Sequence, residues 1–188
     1  MRSRQTNKPD KYIVSECAKV LRDELPYNLH IFVNSVEFIA KVIDTLKLAP
    51  EAVKVVCSTS GESRQENQRK LGNAYPIGQP SDPAKKINFY TSTCFEGCDI
   101  FDPDGVTFIV SDGRKAHTLL DISTLFTQIC GRIRDSRYKA QIVHVYSTTK
   151  YSKTVTLDEF VAATQRTLAD AESYAAEINS LSEATRVK

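Results

Sequence analysis

The sequence predicts an α/β domain with a mostly parallel sheet, helices on both faces of that sheet, and a long C-terminal helix. Short apolar runs alternate with segments of helical periodicity, which is the pattern of successive strand–helix–strand units. Most of the runs are apolar along their whole length, as expected for strands that are buried on both faces of a parallel sheet. A chain of 188 residues is long enough for one such domain with a proper core and an appended helix.

The expected elements follow in order along the chain. A helix is expected from about Asp10 to Leu25, closed by Pro26. Strands are then expected at 29–33, 53–57, 87–90, 106–110 and 141–146. Helices are expected between them at 36–48, 62–71 and 119–134, and a surface loop at 72–86, which has three prolines and two glycines.

The last expected element is a long helix from Leu157 to about Leu181, with small and apolar residues at coiled-coil-like spacing. Its apolar stripe is weak, which favours packing on the same domain over the alternative of an independent coiled coil. The domain organisation is therefore expected to be an N-terminal helix packed on the domain (1–27), the α/β domain (28–150) and a C-terminal helical extension (151–188).

Composition excludes several classes of protein. With 41% hydrophobic and 26% charged residues, the chain is typical of a soluble globular protein, and its net charge of +2 does not by itself indicate nucleic-acid binding. No apolar run approaches the roughly 20 residues of a membrane span, and the first residues lack a signal-peptide core, so a cytoplasmic location without a membrane partner is expected. The odd number of cysteines favours free thiols. Cys94 and Cys98 have no ligand pair nearby, so no metal site is expected.

Three segments carry the residues that suggest chemistry. They are Phe32-Val-Asn-Ser35, Thr91-Ser-Thr-Cys-Phe-Glu-Gly-Cys-Asp99 and Gln128-Ile-Cys-Gly-Arg-Ile-Arg134. Ligands of parallel sheets gather beyond the carboxyl ends of the strands, where the hydroxyls of Ser35, Ser58 and Thr91 are expected to lie. Such hydroxyls can hold a nucleic-acid backbone, and the alternative is that they cap turns and helices.

The third segment places arginines where they can meet a phosphate. Arginine stays charged and offers a planar fork of donors, which suits the charge that spreads over a transferring phosphoryl group. Gln128, Arg132 and Arg134 are expected near the end of one helix, so that their side chains converge on a single cleft; the alternative is a solvated basic helix end. Gly97 permits positive φ or a close backbone approach, although Glu-Gly-x-Asp can also be an ordinary polar turn.

In this order, the three segments resemble motifs IV, V and VI of superfamily 2 helicases, which belong to the second RecA-like domain. The resemblance covers roughly Leu29 to Thr148 and is closest to DEAH-like, phage-type and origin-binding helicases. It implies a RecA-like fold and an ATP-dependent motor that acts on single-stranded or duplex nucleic acid, with DNA preferred over RNA.

The resemblance also implies roles for individual residues. Gln128 would contact the nucleotide or its attacking water, and Arg132 and Arg134 would be the finger arginines. Asp99 would accept a hydrogen bond from a ribose hydroxyl beside Gly97, and Glu96 would organise the turn or pair with an arginine of the third segment. The strand-end hydroxyls, above all Ser35 and Thr91, would touch the phosphates of one nucleic-acid strand.

The chain departs from the family pattern at one position. The commoner motif places a second arginine three residues after the first, but position 135 is Asp135, so Arg132 is the safer assignment and the second finger is either Arg134 or Arg137.

Two motifs of a complete ATP site are absent from the sequence. It contains no Gly-x-x-x-x-Gly-Lys-Ser/Thr phosphate loop, and its Asp158-Glu159 pair follows the third segment, where a helix cap with Thr156 explains it better. ATP and Mg²⁺ are therefore expected to be held by a preceding RecA-like domain of the same polypeptide, and this chain alone is expected to be inactive. The alternative is a RecA-like module that binds nucleic acid or protein without motor activity.

Overall fold

The computed structural model describes residues 1–148 and 155–180, and the chain divides into two compact units, Met1–Lys150 and Tyr151–Lys188. The first unit is built on a six-stranded sheet with the order β1-β6-β5-β2-β4-β3, in which every pair of neighbouring strands is parallel. The strands are β1 (Arg2–Gln5), β2 (Asn28–Phe32), β3 (Val53–Val56), β4 (Ile87–Tyr90), β5 (Gly105–Asp112) and β6 (Ile142–Ser147).

Three helices cover one face of the sheet: α1 (Pro9–Leu21), α2 (Val36–Leu46) and α3 (Gly61–Leu71). Each helix begins or ends at a residue suited to that place. Pro9 lies in the first turn of α1, where its missing N–H costs nothing, and Ser35 caps α2. The helices bury Ile13, Val20, Ile39, Val42 and Leu71, among others, on the strand residues Leu29, Ile31, Phe89 and Phe108.

The opposite face is covered by two crossover connections that contain only short helical turns. The first, at 91–104, joins β4 to β5, and the second, at 113–141, joins β5 to β6 and includes a π-helix (Ile122–Phe126) and α4 (Thr127–Cys130). Because side chains alternate along a strand, this face receives the other set of strand residues. The resulting core consists of Phe32, Val56, Tyr90, Cys94, Phe95, Ile100, Ile109, Phe126 and Ile129.

The predicted fold class, a three-layer RecA-like α/β sheet with a long C-terminal helix, is confirmed, and β2 to β6 lie close to their expected positions. The strand β1 was not expected. Its four residues are polar and exposed, and they form an edge strand only by pairing with β6, from Arg2 opposite Val143 to Gln5 opposite Tyr146. Local periodicity carries no signal for such a strand.

The expected helix at 119–134 was wrong in its length. The helical segment ends at Cys130, Gly131 lies in a turn, and Ile133 then forms a parallel bridge with Ile100. Arg132 and Arg134 therefore follow the helix instead of lying on its last turn. The reason is tertiary, since the backbone of this segment pairs with the first crossover and cannot continue the helical hydrogen bonds.

The second unit contains α5 (Leu157–Ser180), and the capping interpretation of its first residues is confirmed. The Thr156 N–H donates to Glu159 Oε2 at 2.8 Å, and the Glu159 N–H donates to Thr156 Oγ1 at 3.3 Å. The expected helix end near Leu181 lies outside the described residues, and the packing partner of α5 stays a prediction. No helix in the described ranges is both long and apolar enough to cross a membrane.

Candidate functional site

The turn at Glu96–Asp99 and the segment Arg132–Arg134 lie side by side. The Ile100 N–H donates to the Arg132 carbonyl at 2.9 Å, and the Arg134 N–H donates to the Ile100 carbonyl at 3.0 Å. Ile100 and Ile133 are both buried, so the bridge between the two segments is anchored in the core. The structure thus brings together the acidic turn and the arginines, on the face of the sheet that the crossovers cover.

The Arg132 side chain joins the two segments a second time. Its Nε–H donates to the Gln128 carbonyl at 2.9 Å, and Nη1 donates to the Cys98 carbonyl at 2.9 Å. One acceptor belongs to α4 and the other to the acidic turn. The guanidinium is partly buried between them, so this arginine is held in place by main-chain groups.

Arg134 makes a different kind of contact. Its Nε lies 2.8 Å from Asp99 Oδ1, and the two side chains are 47% and 48% exposed. The acidic partner of the arginine is thus Asp99, whereas Glu96 is exposed at the other end of the turn. An ion pair this exposed contributes little to stability and is screened by salt.

Arg137, the other candidate for a second finger arginine, is held elsewhere. Its Nε donates to Asp104 Oδ1 at 2.6 Å, and its backbone N–H donates to the Pro103 carbonyl at 3.0 Å. Asp104 immediately precedes β5, at the amino edge of the sheet. Of the two candidates, Arg134 is therefore the one that lies beside the acidic turn.

Gly97 and Gln128 complete this site. Gly97 has a φ of +70°, and nothing lies within 4 Å of the position that a Cβ would take. Glycine is required there by the backbone conformation and not by a close neighbour within this chain. The Gln128 side chain is exposed on α4, while its carbonyl accepts from Arg132.

The three hydroxyls proposed for nucleic-acid contact lie at the carboxyl ends of three neighbouring strands, β2, β4 and β3. Ser35 is 7% exposed, and its Oγ accepts from the Phe38 N–H at 3.2 Å, which is the capping arrangement. Thr91 is 5% exposed, with its Oγ1 3.4 Å from Thr93 Oγ1. Ser58 is more accessible, and its Oγ lies 3.0 Å from Ser60 Oγ.

Asn34 also belongs to this edge, although the sequence did not single it out. Its Oδ1 accepts from the Ser92 N–H at 3.3 Å, and its Nδ2 donates to the His117 carbonyl at 2.9 Å. One side chain thus ties together the residues that follow β2, β4 and β5. The connections after β2 and β5 leave on opposite faces, which makes this the place where ligands of open parallel sheets usually bind. The position of Asn34 directly after a predicted strand was the one sequence signal for this role. The sequence does not indicate that its partners are Ser92 and His117.

The far end of the first crossover is fixed by a buried network around Asp102. Its Oδ2 accepts from His30 Nε2 at 2.8 Å and from Asn28 Nδ2 at 3.0 Å. The other ring nitrogen of His30 lies 3.1 Å from the Tyr90 hydroxyl, which donates to it if Nε2 carries the proton. Burial lowers the pKa of His30, so the imidazole is neutral in this network.

No local sequence pattern marks His30, because its partner Asp102 lies 72 positions away along the chain. Among the described residues, no group of three or more His, Cys, Asp or Glu side chains is arranged to hold a metal ion.

Comparison of the chain with models of known protein families gave no match, and comparison with curated proteins gave no match either.

Proposed function

We propose that this chain is the second motor domain of an ATP-dependent nucleic-acid helicase or translocase. The observation that carries the proposal is the bridge between Ile100 and Ile133, which puts Arg132 and Arg134 next to the Gly97–Asp99 turn. Two guanidinium groups and a carboxylate then lie beside a turn with positive φ. That combination supplies cationic donors for phosphate and an acceptor for a ribose hydroxyl.

The residues present fit part of an ATP site. A transferring phosphoryl group carries charge that positioned arginines stabilise, and Gln128 is exposed near them on α4. The phosphate loop is absent from the sequence, so the triphosphate and Mg²⁺ are assigned to a preceding RecA-like domain. When that domain closes on this one, the arginines complete the cleft, and hydrolysis reopens it.

The nucleic acid is assigned to the carboxyl edge of the sheet. Contacts to a sugar–phosphate backbone need donors without base specificity, and the turns after β2, β3 and β4 offer hydroxyls and backbone N–H groups. Ser58 is the most accessible of the three proposed hydroxyls, whereas Ser35 and Thr91 contribute mainly by shaping the turns. DNA is proposed as the substrate in preference to RNA.

The test compares this chain alone with a longer protein that joins it to the segment encoded upstream. The chain alone is expected to show negligible ATP hydrolysis, and the joined protein is expected to hydrolyse ATP faster when single-stranded DNA is added. In the joined protein, Arg134→Ala is expected to lower kcat by roughly 10³-fold, the lower end of what a finger arginine provides. Arg22→Ala is the control, because Arg22 also forms an exposed ion pair, with Glu24, far from the site in sequence.

One result would refute the proposal that another domain completes the ATP site. It is ATP turnover by the chain alone that is stimulated by single-stranded DNA and lost on Arg132→Ala.

A second function has one specific observation in its favour. Both arginines already bind groups of their own chain, Arg132 two carbonyls and Arg134 a carboxylate, as in a domain that no longer completes an ATP site. In that case, the RecA-like fold serves as a nucleic-acid- or protein-binding module without a motor. An upstream reading frame that encodes a phosphate loop and an Asp-Glu-x-His box favours the motor, and an upstream frame without them favours the module.

A further inference from the structure

We propose that Arg132 and Arg134 have different roles: Arg132 is a positioning residue that clamps the Glu96–Asp99 turn to α4, and Arg134 is the arginine that leaves its ion pair to bind phosphate. The first half of this inference concerns the chain alone. The second half rests on the proposed function, because it needs a nucleotide held by another domain.

The clamp is built from main-chain acceptors. Arg132 donates to the Gln128 carbonyl through Nε and to the Cys98 carbonyl through Nη1, and both distances are 2.9 Å. A carbonyl oxygen of the main chain cannot turn away by a change of rotamer, and the planar guanidinium holds its two donors in fixed directions. The Arg132 carbonyl also accepts from the Ile100 N–H, so one residue binds the chain on both sides of Asp99.

Apart from Arg132, the turn is held by Cys98, whose Sγ donates to the Cys94 carbonyl at 3.2 Å, and by the exposed pair of Asp99 with Arg134. Gly97 has a φ of +70° and no neighbour within 4 Å of a Cβ position, and Glu96, Gly97 and Asp99 are all exposed. The turn lies between two anchored residues, the buried Phe95 before it and the buried Ile100 after it. Arg132 therefore sets the position of the Cys98 carbonyl, and with it the direction in which Asp99 points.

Arg134 is anchored to the buried bridge through its backbone. Its N–H donates to the Ile100 carbonyl at 3.0 Å, while its guanidinium has one ion pair, to Asp99 at 2.8 Å, in which both side chains are about half exposed. Exposed ion pairs are weak, so a phosphate group can compete for this arginine. A ribose hydroxyl that donates to Asp99 competes for the same ion pair from the other side. Nucleotide binding is thus coupled to the release of Arg134.

The clamp is tested on this chain by amide hydrogen exchange. Arg132→Ala is expected to speed exchange of the Ile100 N–H, which donates to the Arg132 carbonyl, by roughly tenfold, the effect of losing a charge-assisted hydrogen bond, whereas Arg134→Ala is expected to leave this amide nearly unchanged. Arg132→Lys is expected to restore most of the protection, because one ammonium can donate to both carbonyls. Exchange in β2 serves as the control for global folding, since it should be the same in all variants.

Either of two results overturns the clamp. The first is an equal rate of exchange of the Ile100 N–H in Arg132→Ala and in the unchanged protein. The second is a faster exchange of that N–H in Arg134→Ala than in Arg132→Ala. If Arg132→Ala loses protection in β2 as well, the comparison moves to Arg132→Met against Arg134→Met, which keep an unbranched apolar stem but lack the donors, with the same criteria.

The release of Arg134 is tested in the joined protein by ATP hydrolysis. Lysine cannot reproduce the planar fork of donors of a finger arginine. The fold-decrease in kcat is therefore expected to be roughly ten times larger for Arg134→Lys than for Arg132→Lys. A greater loss of kcat in Arg132→Lys would overturn the assignment and make Arg132 the finger. If the unchanged joined protein has no ATPase activity, the proposed function and the release of Arg134 both fail, and the exchange results still decide the clamp.

Discussion

Asp112 shows how one carboxylate at the end of a strand can hold several backbone and side-chain groups. Asp112 ends β5, and its Oδ1 accepts from Ser147 Oγ, at the end of β6, at 2.7 Å. Both oxygens also accept from the Arg114 guanidinium at 2.9 Å. The hydrogen bonds from Arg114, more than those from Ser147, lower the pKa of Asp112 to about 2.

Asp112→Asn is expected to lower the free energy of unfolding at pH 7 by about 2 kcal/mol, since the pKa falls from 3.8 to about 2 on folding. The folded chain binds this proton more weakly than the unfolded chain does. The contribution is therefore complete above about pH 4 and is lost as the pH falls through about 2. Urea denaturation at neutral and acidic pH measures this contribution to the free energy of unfolding.

The control for Asp112→Asn is Glu66→Gln, which removes the exposed pair with Lys70 and should change the free energy of unfolding little. An equal deficit of Asp112→Asn at both pH values would contradict the expectation.

At the scale of elements, the first crossover runs from the carboxyl edge of the sheet to its amino edge. It begins at the carboxyl edge, where Asn34 binds the Ser92 N–H, and ends at the amino edge, where Asp102 binds His30 and Asn28. Between these ends lies the acidic turn with Gly97. A segment without regular secondary structure needs such anchors, because its backbone hydrogen bonds are not satisfied by a helix or a strand.

Gly105→Ala tests the anchor at the amino edge. A Cβ at this position would lie 2.9 Å from the His30 ring and 3.3 Å from Asp102 Cβ. Because the ring is fully buried and held by hydrogen bonds on both nitrogens, it cannot move away without cost. We expect the variant to lose about 1–3 kcal/mol of unfolding free energy, as overpacked cores do.

The matched control for Gly105→Ala is Gly131→Ala, measured by the same urea denaturation. The nearest atom to a Cβ at Gly131 is 3.6 Å away, which is an ordinary contact, so its unfolding free energy should change much less. Similar losses in the two variants would mean that the crowding at His30 is not what makes position 105 sensitive.

At the scale of the whole molecule, the first unit contains a complete core. All six strands lie within Met1–Lys150, and the buried clusters on both faces of the sheet draw on residues from Ile13 to Val145. Parallel strands pair across long sequence separations, so the sheet becomes stable only when all of its crossovers are in place.

A protein that ends at residue 150 is therefore expected to fold with the same sheet and to unfold in one cooperative urea transition. Amide spectra of this shorter protein and of the full chain should coincide for the residues of β2, β4 and β5. Shifts spread throughout those central strands, or a gradual transition, would show that residues 151–188 are needed for the core.

The sequence by itself determined the local features of this protein. Apolar runs marked the buried strands, helical periodicity marked α1 to α3, and Thr156 with Glu159 marked the start of α5. These features were predictable because each depends on residues within a few positions of one another, through the direction of side chains or the capping of orphan N–H groups.

Only the tertiary structure decided which distant groups meet. The polar edge strand β1 exists because β6 lies beside it, and α4 ends at Cys130 because Ile133 pairs with Ile100. Arg132 and Cys98, 34 positions apart, share a hydrogen bond for which neither local sequence gives a signal. Periodicity indicates which face of an element is apolar. The partners of a polar group depend instead on how the elements pack, and packing is a property of the whole chain.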